Sequence, residues 1–356
     1  MSIFDRNKTS GLKFVYPDRC EIVSYASIRE LESLVEDPNV KTIQFVKPLE
    51  TADFQNLERI IFSKRKDICL RAYGHYSSIC DLSFLEHVPS VRRFSADALM
   101  TISNIDAVTE IKDLEELWVD VYDLLNFDFL DRLPLTLRTL GLGETSSRRP
   151  SIGAISRFDR LTYLYLEKQQ KGIESIRSLK HLEKIVLRSI STKDVEYLLG
   201  LNELWSVDVK LGGIKDFKAL SALPKLKYLE LWMVRGLRDL SFISSITSLQ
   251  HLFLQSLKQV TELPDLSQLK QLRRVYLEDL KGLVDLTSLE FAPALYEFAY
   301  TMAQNQAVEN LLPVLLNPNT KAVGCWFGSD KKNRRFEQLL KEYGKENYTS
   351  SEFQYI

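Results

Sequence analysis

Leu226-Lys-Tyr-Leu229-Glu-Leu231, Leu249-Gln-His-Leu252-Phe-Leu254 and Leu272-Arg-Arg-Val275-Tyr-Leu277 repeat one pattern, L-x-x-L-x-L, every 23 residues. Followed outward, the pattern begins at Val91, Leu114, Leu137, Leu161, Leu182, Leu204, Leu226, Leu249, Leu272 and Leu295, at intervals of 21 to 24 residues. Leucine supplies 57 of the 356 residues, and enrichment alone would not hold a register through ten copies. A fixed period of this size marks stacked supersecondary units, none of which can bury its apolar face alone. Alternation at the fourth and sixth positions reads as a short strand, so the third and fifth positions project from the opposite face of the sheet.

Most copies are preceded by apolar residues nine, six and three positions upstream, as in Phe217/Leu220/Leu223 and Leu240/Ile243/Ile246; the copy at Leu137 slips by one and uses Phe127, Leu130 and Leu133. A strict spacing of three favours short 3₁₀ turns over α-helices. One position earlier stands Asp81, Asn104, Asp194, Asp216, Asp239 or Asp285, a side chain suited to accept a backbone N–H at the start of the turn.

The repeat resembles the leucine-rich-repeat family over roughly residues 81–300. The resemblance implies an α/β solenoid: a right-handed horseshoe with a parallel concave β-sheet, convex 3₁₀ or short helices, and caps at both ends. The family's Asn at the ninth position is replaced here by Leu99, Tyr122, Thr145, Gln169, Ile190, Gly212, Val234, Leu257, Leu280 and Ala303, so apolar stacking and further backbone pairing are expected instead of an Asn ladder. The phrasing looks like the irregular intracellular repeats of bacteria and of plant receptors. Two less regular units, at Val40-Lys-Thr-Ile43-Gln-Phe45 and Asp67-Ile-Cys-Leu70-Arg-Ala72, extend the array.

The expected organisation is an N-terminal cap over residues 1–39, repeats over 40–302, a C-terminal cap over 303–344 and a loose tail over 345–356. Within it, residues 12–24 read as a hairpin, and residues 27–36, 51–66, 304–316 and 330–343 as helices, the last with Phe336, Leu339, Leu340 and Tyr343 on one face. A final strand runs from Ala322 to Phe327.

The net charge of −1 and pI near 6.5 remove the global field of a nucleic-acid binder. No apolar stretch is long enough to span a membrane, and Asp5, Arg6 and Lys8 precede no signal-like apolar run, which points to the cytoplasm, with non-classical secretion of an effector left open. Cys20, Cys69, Cys80 and Cys325 show no C-x-x-C, so neither a metal site nor a disulfide framework is expected. The sequons at Asn7 and Asn347 read as chance matches. Gly141-Leu-Gly143 lacks the third glycine of a dinucleotide fingerprint, and His75, His87, His181 and His251 are dispersed. No enzyme and no cofactor are therefore expected. An enzyme or ubiquitin-ligase-type component using one of the cysteines is the alternative, and RNA binding through stacked aromatics with Arg92, Arg93, Arg273 and Arg274 is the second.

The informative residues lie on the face the leucines leave open. Trp118, Tyr163, Tyr165, Trp205, Asp208, Tyr228, Glu230, Trp232, Phe253, Tyr276 and Tyr296 form the expected partner-binding set, with Trp326 read as the fifth position of the last strand. Trp, Tyr and Arg dominate interface hot spots, and the acids Glu116, Asp120, Glu167, Asp208, Glu230 and Glu278 call for a protein with complementary basic groups. The chain thus reads as a protein-binding module of inhibitor, immunity, adaptor or effector type, holding its partner in the concavity.

Overall fold

Each L-x-x-L-x-L copy becomes a short strand because a parallel neighbour satisfies its backbone while its leucines meet those of the copies before and after. The computed structural model describes residues 10–74, 78–146 and 150–356. They fall into two units, one reaching to Tyr163 and including Lys171–Ser175, the other comprising Leu164–Gln170 and Ile176–Ile356.

The first unit opens with an antiparallel hairpin of Leu12–Tyr16 and Arg19–Ile22. Arg19–Ile22 pairs in parallel with Thr42–Phe45, followed by Cys69–Tyr73, Arg93–Leu99, Glu116–Val121 and Thr139–Leu142. The register Ile43↔Leu70↔Phe94↔Leu117↔Leu140 brings both irregular early units into line with the repeats. Helix Ile28–Glu36 starts at a capping box of Ser27 and Glu30. Arg65 closes its other end by donating to the carbonyls of Val35 and Asp37 while paired with Asp67. The helix expected over 51–66 is α-helical over Thr51–Leu57 and widens into a π turn over Glu58–Phe62.

In the second unit the strands Lys184–Arg188, Ser206–Lys210, Tyr228–Trp232, His251–Gln255, Arg274–Glu278, Glu297–Thr301 and Ala322–Cys325 pair successively in parallel. Ile185, Val207, Leu229, Leu252, Val275, Phe298 and Val323 form one column, each fully buried. Burying such a side chain contributes about 1.5–3 kcal/mol. 3₁₀ turns such as Lys218–Ala222 and Ser241–Ser245 return the chain, and Asp194, Asp216, Asp239 and Asp285 each accept the N–H two residues on. Asp265 does the same and was not expected to. Asn104 differs from the expectation: its backbone is left-handed and its amide donates instead to Asp81.

The Asn ladder has a backbone substitute. The eighth position of the repeat is left-handed at Lys168, Ser189, Leu211, Met233, Ser256, Asp279 and Met302, with φ between 51° and 61° except at Asp279, where it is 49°. This bend lets the N–H of Leu211, Met233 and Ser256 donate to the carbonyls of Trp232, Gln255 and Glu278 one repeat further on, at 2.8–2.9 Å. The ninth positions Ile190, Val234, Leu257, Leu280 and Ala303 then stack in the interior.

At the C-terminal end a 3₁₀ turn, Val308–Leu311, runs into the short helix Leu312–Leu316, and Asn317 donates to the carbonyls of Leu289 and Ala292. Helix Asp330–Glu342 buries Phe336, Leu339 and Leu340, but Tyr343 ends up exposed because it stands at the helix C-cap, past the last helical turn. The last strand is offset by two residues from its expected register. Ala299 pairs with Gly324, so Gly324 takes the fifth position and Trp326 lies beyond the strand. A side chain at 324 would collide with the Trp326 ring and the Tyr348 Cβ, 2.7 Å and 2.9 Å from the site of its own Cβ. No helix among the described residues is long and apolar enough to cross a membrane.

Candidate protein-interaction face

In the first unit the third and fifth positions bring Trp118 and Tyr163 together, ring centroids 5.9 Å apart, and the Trp118 indole donates to Glu116 at 2.9 Å. Gly141 is explained by the same ring: a Cβ there would lie 2.0 Å from Trp118. The glycine serves close packing on an aromatic, not a phosphate. His75 lies outside the described residues.

In the second unit the open face is a continuous set of paired aromatics and charges. Tyr165 donates to Glu167, which pairs with Arg188, whose guanidinium stands 5.7 Å from the Trp232 ring. The Lys184 ammonium lies 4.5 Å from Trp205. Tyr228 donates to Glu230 at 2.9 Å and meets His251 edge to face, while Phe253 does the same with Tyr276 at 4.9 Å. Tyr296 is exposed, with the Lys321 ammonium 5.5 Å away. Most of these rings are half-buried, and Trp205, Tyr228, Trp232, Phe253 and Tyr276 each have another ring or a cation beside them.

Asp208, Lys210 and Glu230 form the charged centre. Lys210 reaches Glu230 at 3.1 Å and Asp208 at 3.5 Å, and Asp208 Oδ1 is buried with no hydrogen-bond partner among the described residues. Burial, reinforced by the charge of Glu230, pushes the Asp208 carboxyl up to about 6. Burial, with Arg274 beside it, pulls His251 down to about 3, so its ring is neutral at physiological pH.

Residues 351–356, the end of the tail expected over 345–356, lie on this face. Phe353 packs on His251 at 5.0 Å with the guanidiniums of Arg273 and Arg274 4.7 Å and 5.0 Å from its ring. Tyr355 packs on Trp205 at 5.0 Å and on Tyr228 at 6.5 Å. Ser351 accepts from Arg274, the Gln354 carbonyl from Arg273, and Gln250 holds the backbone of Ile356. Further up the chain, Tyr348 meets Tyr276 at 6.4 Å. The signal in the sequence was Phe353-Gln-Tyr355, two aromatics on one side of an extended segment, alternating with the exposed Glu352, Gln354 and Ile356.

The four arginines of the RNA reading all have partners on the protein itself. Arg92 pairs with Glu115, Arg93 with Glu116 and Arg274 with Glu297, and Arg273 binds Gln250 and the Gln354 carbonyl. Cys20 and Cys80 are buried thiols pushed up to about 11 and about 12, and burial raises Cys69 and Cys325 further, which makes all four poor nucleophiles.

A family model described as R13L1/DRL21 LRRs matches residues 207–280. The solved structure of an internalin (inlF) from Listeria monocytogenes superimposes on 93% of this chain and 91% of its own, with a TM-score of 0.57 and 16% identity. Internalin C2 (inlC2) from the same organism covers 64% of this chain and 91% of its own, with a TM-score of 0.44 and 17% identity. No curated protein matches the chain. At 16% identity the likeness to inlF speaks to the fold alone.

Proposed function

We propose that this chain, a leucine-rich-repeat protein, is a protein-binding module with no catalytic chemistry of its own, and that it takes its partner on the concave face carrying Trp205, Tyr228, Trp232, Phe253 and Tyr276. The supporting observation is the row of half-buried rings on and beside consecutive strands, next to an acidic pair in which Asp208 Oδ1 has no donor among the described residues. Strands about 4.8 Å apart put these anchors within a patch roughly 15 Å across, the size of a hot-spot core. The unmet carboxylate oxygen favours a partner with a basic or hydroxyl group at that point. Trp118, Tyr163, Tyr165 and Tyr296 belong to the proposed face as well. A cytoplasmic setting is part of the proposal, carried by four cysteines whose spacing fits no disulfide framework.

The test is the double change Trp232→Ala with Phe253→Ala. The partner is first identified by affinity capture and mass spectrometry, and its affinity for both proteins is then measured by calorimetry. The expected result is a melting temperature within a few degrees of the native value and binding weaker by about thirtyfold or more, roughly 2 kcal/mol. A folded variant with unchanged affinity would move the interface off this face.

A further inference from the structure

The segment Ser351–Ile356 is held on the sheet by contacts of two kinds. One kind reads backbone without regard to sequence. Gln250, 2% exposed, donates through Nε2 to the Ile356 carbonyl and accepts the Ile356 N–H on Oε1, both at 2.9 Å, the pair of bonds an adjacent strand would make. Arg274, 5% exposed and anchored by Glu297, donates to the Ser351 carbonyl at 3.0 Å, and Arg273 donates to that of Gln354.

The other kind reads two side chains. Phe353 enters a socket walled by His251 and the two guanidiniums, and Tyr355 enters one walled by Trp205 and Tyr228, with its hydroxyl 3.4 Å from His251 Nδ1. Successive side chains of an extended chain point to opposite sides, so residues two apart fill both sockets while the residue between faces water. An amide and two arginines that grip carbonyls, with two aromatic sockets set for positions i and i+2, are the parts of a peptide-recognition groove.

We propose that the groove over Trp205, Tyr228, Gln250, His251, Arg273 and Arg274 is a docking site for an extended segment carrying an aromatic-x-aromatic motif, and that Ser351–Ile356 occupies it in cis until a partner's segment of that chemistry displaces it. This rests on the reading of the sheet face as the partner-binding surface and names the chemistry of the partner. The Phe353 socket prefers an aromatic ring because two cations flank it. A lysine or arginine there would meet like charge. Tethering makes the cis segment a strong competitor, since a short linker gives an effective concentration in the millimolar range.

The experiment uses the full chain, native and with Phe353→Ala and Tyr355→Ala together, and a fluorescein-labelled peptide of residues 348–356 as probe in anisotropy titrations. The double variant should bind the peptide at least about tenfold more tightly than the native chain, whose groove is filled by a tethered competitor. Adding His251→Lys to the double variant should abolish that binding. Equal affinity for native chain and double variant, or no binding to a double variant with a native circular-dichroism melt, would overturn the proposal. Should the double variant fold poorly, Tyr355→Ala alone empties one half-exposed socket and carries the same comparison. A failure here leaves Trp232 and Phe253 untouched as partner anchors, because their ring contacts are with Arg188 and Tyr276.

Discussion

The side-chain amide of Gln250 binds the backbone of Ile356 twice, donating to its carbonyl and accepting from its N–H, across 106 residues of sequence. A side chain that imitates a strand edge fixes the segment bearing Phe353 and Tyr355 without specifying its residues. Gln250→Ala removes both bonds and leaves the sheet intact. It should speed amide exchange over residues 351–356 while the strand His251–Gln255 keeps its protection, as measured by hydrogen–deuterium exchange.

Leu229 stands at the centre of the buried column between Val207 and Leu252 and is fully buried. Leu229→Ala should cost about 2–5 kcal/mol through lost burial and the cavity left behind, read from urea unfolding. A loss under about 1 kcal/mol would mean that the column is not closed around it.

Met233 holds a left-handed backbone at φ 51° with its side chain 39% exposed. Glycine adopts that conformation without strain but carries an entropic cost and gives up the covered part of the methionine, so the terms nearly cancel and Met233→Gly should change stability by less than about 1 kcal/mol. At Leu229 the same change would be strongly destabilising, and the contrast, measured by thermal melts, separates the turn from the strand.

Two half-buried groups give opposite pH dependence. Asp208 is raised from 3.8 to about 6, so the folded chain holds a proton that the unfolded chain lacks between those values. Stability from that proton is complete below pH 4 and lost as pH rises through 6. At pH 7 the ionised carboxylate therefore costs stability, on the order of 1.4 kcal/mol for each pH unit of the shift. Asp208→Asn should raise stability at pH 7 and change little at pH 4. His251 is lowered from 6.5 to about 3, so stability from its neutral ring is present above 6.5 and lost as pH falls toward 3. Around it stand Arg274 and Tyr228 on the neighbouring strands and Tyr355 on the tail. His251→Gln should flatten the acid limb, and urea unfolding at pH 4, 5.5 and 7 resolves the two effects.

The repeat was legible because a leucine at the first, fourth or sixth position has one place to go, and the same choice recurs every 21 to 24 residues. Side-chain alternation then put Tyr228, Phe253 and Tyr276 on the open face, and Trp205 was added as the residue just ahead of its strand. Three features were not legible. The left-handed eighth position uses Lys168, Leu211 and Met233, none of them a residue that announces positive φ, because the cross-repeat N–H bond overrides the local preference. The two-residue offset at Gly324 comes from the fit of Trp326 and Tyr348 over a missing side chain. The docking of the tail joins residues about a hundred positions apart through no repeat period, so only the Phe-x-Tyr alternation hinted at it.

The claim that the aromatic face of the second unit already holds a peptide segment is tested most directly by hydroxyl-radical footprinting of individual side chains in the full chain and its Phe353→Ala, Tyr355→Ala variant. Trp205 and Tyr228 should oxidise slowly in the native chain and severalfold faster in the variant, while Trp232, which packs against Arg188, should react alike in both. Equal rates at Trp205 in the two proteins would show that the face is open in solution and contradict the account.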